Sequence, residues 1–140
     1  MKTPILLIVL FLSLLAVNGE TAHAKKTTSL NSTPKAFQTF YAKFKNAVVK
    51  GDKKAVASLT HFPFEFEYVE ERDQGTLSEA QFVKKFNDIL GGGRKIFRQK
   101  NPVFYSQADG YNLTDEWDAS VFVFEKKGTS YKFAGYIALP

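Results

Sequence analysis

The stretch SLTHFPFEFEYVEE, Ser58 to Glu71, gathers the residue types that acid–base chemistry uses. His61 stands close in sequence to Glu65 and Glu67. A histidine with a carboxylate in reach can take up and return a proton near neutral pH. The spacing argues for something else. From Phe62 to Val69 ring and non-ring residues alternate strictly, which is the period of a strand. Phe62, Phe64, Phe66 and Tyr68 then share one face, and His61, Pro63, Glu65, Glu67 and Val69 share the other. With the rings packed inward, the imidazole and both carboxylates face water, where polar groups need no functional explanation. A bulge at Pro63 is the one device that would turn His61 back.

Other chemistries lack their residues. The chain has no cysteine, which excludes a thiol nucleophile, a thiolate-ligated metal and a disulfide. His61 is the single histidine after residue 24, so a zinc site would rest on carboxylates, an unusual ligand set. Asp115-Glu116-Trp117-Asp118 lacks the spacing of a calcium loop and reads as a turn leading into a strand. No G-x-S-x-G pattern is present. In GGGRKIFRQK, Gly91 to Lys100, the glycines follow a helix, the reverse of a phosphate-binding loop. Arg94, Lys95, Arg98 and Lys100 read as a solvated loop or edge. Neither a metal nor a cofactor is expected. The net charge of +5 favours solubility without marking a nucleic-acid binder. Asn31-Ser32-Thr33 and Asn112-Leu113-Thr114 match the glycosylation pattern N-x-[ST], which matters only in a eukaryotic secretory host.

The N-terminus explains where such a chain goes. Lys2, the apolar run Ile5 to Val17 and Ala22-His23-Ala24 follow the order of a secretory signal peptide, with cleavage expected after Ala24. The apolar run is shorter than the roughly 20 residues of a membrane-spanning helix, so no stable anchor is expected after cleavage. A secreted or periplasmic location follows as an expectation. Residues 25–33 read as a flexible polar segment and residues 34–140 as a single domain. With no disulfide to help, 14 Phe and 6 Tyr must supply the core.

Element signals run along the domain. Thr33-Pro34 looks like an N-cap with proline at the first helical position, and Phe37, Phe40, Tyr41, Phe44 and Val48 recur at helical spacing. Gly51 is the expected stop, and Asp52 the cap of a second helix carrying Ala55, Val56 and Leu59. After the first strand, Asp73-Gln74-Gly75 reads as a loop. Ser78 to Gln81 then fits a capping box, with Leu77 and Phe82 as its hydrophobic staple. Phe82, Val83, Phe86, Ile89 and Leu90 form the stripe of a helix that ends at Gly91-Gly92-Gly93. Lys95–Arg98, Val103–Ser106, Glu116–Glu125 and Tyr131–Leu139 read as strands, with a turn at Asp109-Gly110 and a hairpin at Lys126 to Thr129. Trp117, Ala119, Val121 and Val123 oppose Phe122 and Phe124, so both faces of that strand are apolar and both need cover.

The sum is an α+β fold, with N-terminal helices packed on a curved antiparallel sheet. FYAKFKNAVVKGDKKAVASLTHF, Phe40 to Phe62, resembles the opening of the NTF2-like (SnoaL-like) cone-fold proteins, and SYKFAGYIAL, Ser130 to Leu139, resembles their last strand. The resemblance implies a sheet wrapped around the long helix, often with a pocket at its open end. It implies no single activity. Steroid-isomerase-like members place a tyrosine hydroxyl where this chain has Phe44, and an aspartate near Glu67 to Val69, so their paired acid and base are not both matched. Three readings stand. The first is a non-enzymatic domain holding a small apolar or amphipathic ligand among Tyr41, Phe44, Phe64, Tyr68, Trp117, Asp118 and Tyr136. The second is a homodimer joined through Trp117, Val121 and Val123 on the sheet's outer face. The third is an acid–base enzyme using Glu67 or Asp118 with Tyr68 or His61.

Overall fold

Local signals start and stop the helices. The computed structural model describes residues 26–91 and 95–140; the expected signal peptide with its Ala24 cleavage point, and Gly92, Gly93 and Arg94, lie outside them. Helix α1, Lys35–Lys50, begins one residue later than expected. Pro34 holds the cap position, and its carbonyl accepts from the Phe37 and Gln38 N–H groups at 3.0 and 3.1 Å. The Thr33 hydroxyl, expected to cap, turns back to the Leu30 carbonyl instead. Gly51 ends the helix at φ 67°, the left-handed conformation that glycine adopts without steric cost. Asp52 caps α2, Lys53–Ser58, accepting from Ala55 N–H at 3.0 Å. The capping box at Ser78 and Gln81 is complete and opens α3, Glu79–Lys84. The helix expected to run on breaks at Lys85, and α4, Phe86–Leu90, stops at Gly91.

Seven strands form one sheet: β1, Thr27–Ser29; β2, Thr60–Tyr68; β3, Asp73–Leu77; β4, Val103–Gln107; β5, Gly110–Asp115; β6, Ser120–Lys127; and β7, Ser130–Ala138. Their spatial order is β1-β4-β5-β6-β7-β2-β3. All pairs are antiparallel except β2 with β7, which run parallel. Helices against a mostly antiparallel curved sheet make this α+β, the class expected.

Four readings need correction. Asp73-Gln74-Gly75 is the start of edge strand β3 and not a loop; the turn falls at residues 69–72, with Arg72 at φ 55°. Lys95–Arg98 is a 3₁₀ turn and not a strand. Ile96 and Phe97 are adjacent and both buried, which the tight 3₁₀ turn allows without a second covered sheet face. Glu116 to Ala119 forms a turn, so β6 begins only at Ser120, and the unforeseen β5 precedes it. Thr27–Ser29, inside the segment read as flexible, pairs with Val103–Tyr105.

The core lies between α1 and the inner face of the sheet. Phe37, Phe40, Tyr41, Phe44, Ala47 and Val48 form the buried stripe of α1. Against it stand Phe104 of β4, Leu113 of β5, Phe122 and Phe124 of β6 and Phe133 of β7. Phe44 meets Phe97, Phe124 and Phe133 at centroid distances of 5.8, 5.2 and 5.0 Å, within the range of favourable aromatic pairs. In β2, Phe64 is fully buried and packs on Phe82 and Phe133, while Glu65 is exposed, as the alternation requires. The pairing of β2 with β7 shifts register between Thr60 and Glu65, the span that holds Pro63, where a bulge was the alternative to strict alternation.

One glycine fixes the β4–β5 hairpin. A Cβ on Gly110 would lie 2.9 Å from the Glu125 Cα and closer still to the Phe124 carbonyl oxygen, both backbone atoms that cannot yield cheaply. Gly110→Ala is expected to lower stability by at least about 2 kcal/mol, the range of overpacking at a rigid site, measured by urea denaturation.

Candidate functional site

The residues proposed to line one pocket do not meet in one. Tyr41, Phe44, Phe64 and Tyr136 are core residues, each at most 4% exposed. Tyr136 stacks near Phe122 and Tyr68 at 5.5 and 6.1 Å. Rings fill the space a ligand would need. Tyr68 is half-buried at the end of β2 and lines a cleft of about 190 Å³ with Glu67, Val69, Arg72, Asp73 and Gln74. Trp117 stands elsewhere, at a second cleft, and Asp118 is exposed beside it.

Of the acid–base candidates only Glu67 and Tyr68 share a cleft. His61 and Glu67 lie six residues apart on β2, about 20 Å at the rise of an extended strand, so neither can serve the other. Burial raises the Tyr68 pKa, with Tyr136, Asp88, Asp73 and Glu71 adding in the same direction. Its hydroxyl therefore stays protonated at neutral pH and does not act as a phenolate base. Among the described residues no group of three His, Cys, Asp or Glu side chains is placed to hold a metal ion.

The most organised polar feature is the turn at residues 116–119. Asp115 ends β5 pointing into the core and is fully buried. Its Oδ1 accepts from the Trp117 and Asp118 N–H groups at 3.0 and 3.3 Å. Ala119 sits at φ 45°, uncommon for a residue with a Cβ, and its carbonyl accepts from Leu139 N–H at 2.7 Å. The turn is thus tied at both ends. It lifts Trp117, the only tryptophan, to 58% exposure. Beneath it a cleft of about 250 Å³ is lined by Ile96, Gln99, Val103, Tyr105, Thr114 and Glu116. The reading of Asp115 to Asp118 as a turn leading into a strand holds, while starting the strand at Glu116 was too early; Asp115, a turn-forming residue two positions before the ring, is the signal.

The outer face of the sheet is the second feature. The register aligns Tyr105, Asn112, Val123, Gly135 and Glu65 in one row, and Thr114, Val121, Ile137 and Glu67 in the next. Val121, Val123 and Ile137 are only half-buried. Both faces of β6 are apolar, as read, yet only one is covered. Asn112, one of the two glycosylation patterns, lies within β5 and is 9% exposed, while Asn31 is exposed.

No protein-family model and no curated protein matches this chain. Similar solved structures include an NTF-2 like protein of unknown function from Burkholderia xenovorans LB400, with 11% identity and a TM-score of 0.43 over 73% of this chain and 80% of that one. A second is a putative calcium/calmodulin dependent protein kinase II association domain from Xanthomonas campestris, with 16% identity and a TM-score of 0.44 over 86% of this chain and 99% of that one. The first carries the description that the sequence resemblance named. No described helix is long and apolar enough to cross a membrane.

Tyr41 supplies the test of the packed interior. Its hydroxyl is buried without a hydrogen-bond partner, an arrangement that costs about 1–3 kcal/mol. Tyr41→Phe is expected to raise stability by about 1 kcal/mol. Burial also raises the Tyr41 pKa above its ordinary value. Above about pH 10 the unfolded chain loses this proton while the folded chain keeps it. The stability so held is whole below that pH and is lost as pH rises toward the folded pKa. Denaturation midpoints of Tyr41→Phe should therefore fall less steeply above pH 10 than those of the wild type.

Proposed function

We propose that this chain is an exported, non-catalytic interaction domain that pairs with a second copy of itself through the outer face of its sheet. The observation that carries the reading is β6: its inner residues Phe122 and Phe124 are fully buried, while Val121 and Val123 on the other side are apolar and only half-buried. A strand that faced water would carry polar residues there.

A second copy fits this face. β6 is the middle strand of seven, so a twofold axis along it places β5 against β7 and β4 against β2. Val121 and Val123 then meet their own counterparts, and Ile137 of β7 meets Thr114 of β5 in the second copy. Strands about 4.8 Å apart and about 5–9 residues long give the face an area on the order of 700 Å², near the ~800 Å² per partner that stable complexes bury. Export rests on the N-terminal sequence alone. The small-ligand reading loses its interior pocket to packed rings and keeps a foothold only outside the core.

Sedimentation or light scattering of the mature chain, residues 25–140, tests the pairing. The expected result is a dimer mass that falls on dilution. Val121→Lys combined with Val123→Lys should give a monomer with an unchanged circular dichroism spectrum. A wild-type chain that stays monomeric at millimolar concentration removes the proposal.

A further inference from the structure

We infer that the cleft beside Trp117 binds a neutral saccharide. Its floor and walls come from Ile96 in the 3₁₀ turn and Gln99 just after it, Val103, Tyr105 and Thr114 of β4 and β5, and Glu116 and Trp117 of the turn. It lies at the end of the sheet where β5 leaves for β6, at the margin of the strip centred on β6, with Thr114 directly across from Val121.

The position of the indole is the first argument. A tryptophan is the largest apolar side chain, and burying it contributes more to a core than burying any other. Among the described residues most Phe and Tyr rings are buried and the rest partly so, while the only tryptophan is 58% exposed. The chain also fixes the backbone that carries that ring. The buried Asp115 carboxylate binds the turn's backbone, and Ala119 keeps a conformation that a β-carbon disfavours. A preset aromatic surface loses little entropy when something stacks on it.

The lining chooses the ligand. Among the described residues no lysine or arginine lines the cleft, and Glu116 repels anions, so phosphates and carboxylates are disfavoured. Glu116 with the Trp117 and Tyr105 rings would attract an alkylammonium. That ligand, however, has no use for the Gln99 amide or the Thr114 and Tyr105 hydroxyls. A sugar ring uses all of them: it offers a face of C–H groups to the indole and a rim of hydroxyls to neutral donors and acceptors. At about 250 Å³ the cleft is below the ~300 Å³ at which drug-sized pockets begin, a size suited to a single ring.

Because Trp117 is the sole tryptophan, its fluorescence reports occupancy directly. The mature chain is titrated with cellotriose, maltotriose and tri-N-acetylchitotriose, and separately with tetramethylammonium chloride and inorganic phosphate. A saturable emission shift with at least one trisaccharide, and with neither salt, is expected. By calorimetry, Trp117→Ala should bind that trisaccharide about tenfold more weakly, and Trp117→Phe should fall between. The Val121→Lys, Val123→Lys variant should bind as the wild type does, because neither residue lines the cleft. Silence from all three sugars, a response to tetramethylammonium alone, or unchanged binding by Trp117→Ala overturns the proposal, whatever the oligomeric state.

Discussion

The fold depends on one contact surface, the aromatic stripe of α1 against the inner face of the sheet. Phe37 alone approaches Phe104, Tyr111, Phe124 and Tyr131 within 6.0 Å, and Phe44 bridges to β6, β7 and the 3₁₀ turn. In a chain without cysteine, no covalent tie shares this duty. Rings suit it: each removes a large apolar area from water and has few rotatable bonds to freeze. Filling the interior this way has a consequence for chemistry. A cavity deep enough for catalysis would have to displace rings that hold the helix to the sheet. Recognition is therefore left to the exterior.

Two exterior features remain, and they differ in kind. The outer face around β6 is broad and built from short aliphatic side chains on regular strands. The cleft at Trp117 is narrow, polar at its edges and framed by a turn whose backbone is fixed from below. The first suits another protein surface, where area and shape decide. The second suits a small molecule, where a few placed groups decide.

What the sequence disclosed follows the range of each interaction. The Gly51-Asp52 boundary, the Ser78–Gln81 capping box and the alternation of β2 are contacts between residues a few positions apart, and each was legible. Strand β3 was not. Asp73 to Leu77 has little apolar content, and it extends only because β2 offers it a ladder. The same holds for Thr27–Ser29 on β4. At Ile96-Phe97, two neighbouring apolar residues suit a strand in isolation. The demand that both face one core selects the tighter 3₁₀ turn. The pocket residues misled for a related reason: aromatic composition cannot tell a lined cavity from a filled one. Tyr41, Phe44, Phe64 and Tyr136 show the filled case.

The parallel union of β2 and β7 joins the first long strand to the last. Residues near position 65 cannot find their neighbour until residues near 135 exist. During synthesis the helices and β2–β3 can only gather loosely, since the sheet's closing seam arrives with the final segment. Topologies of this long reach close slowly. A polypeptide so arranged stays threadable for nearly the whole time it is being made, a property that passage through a narrow export channel would use.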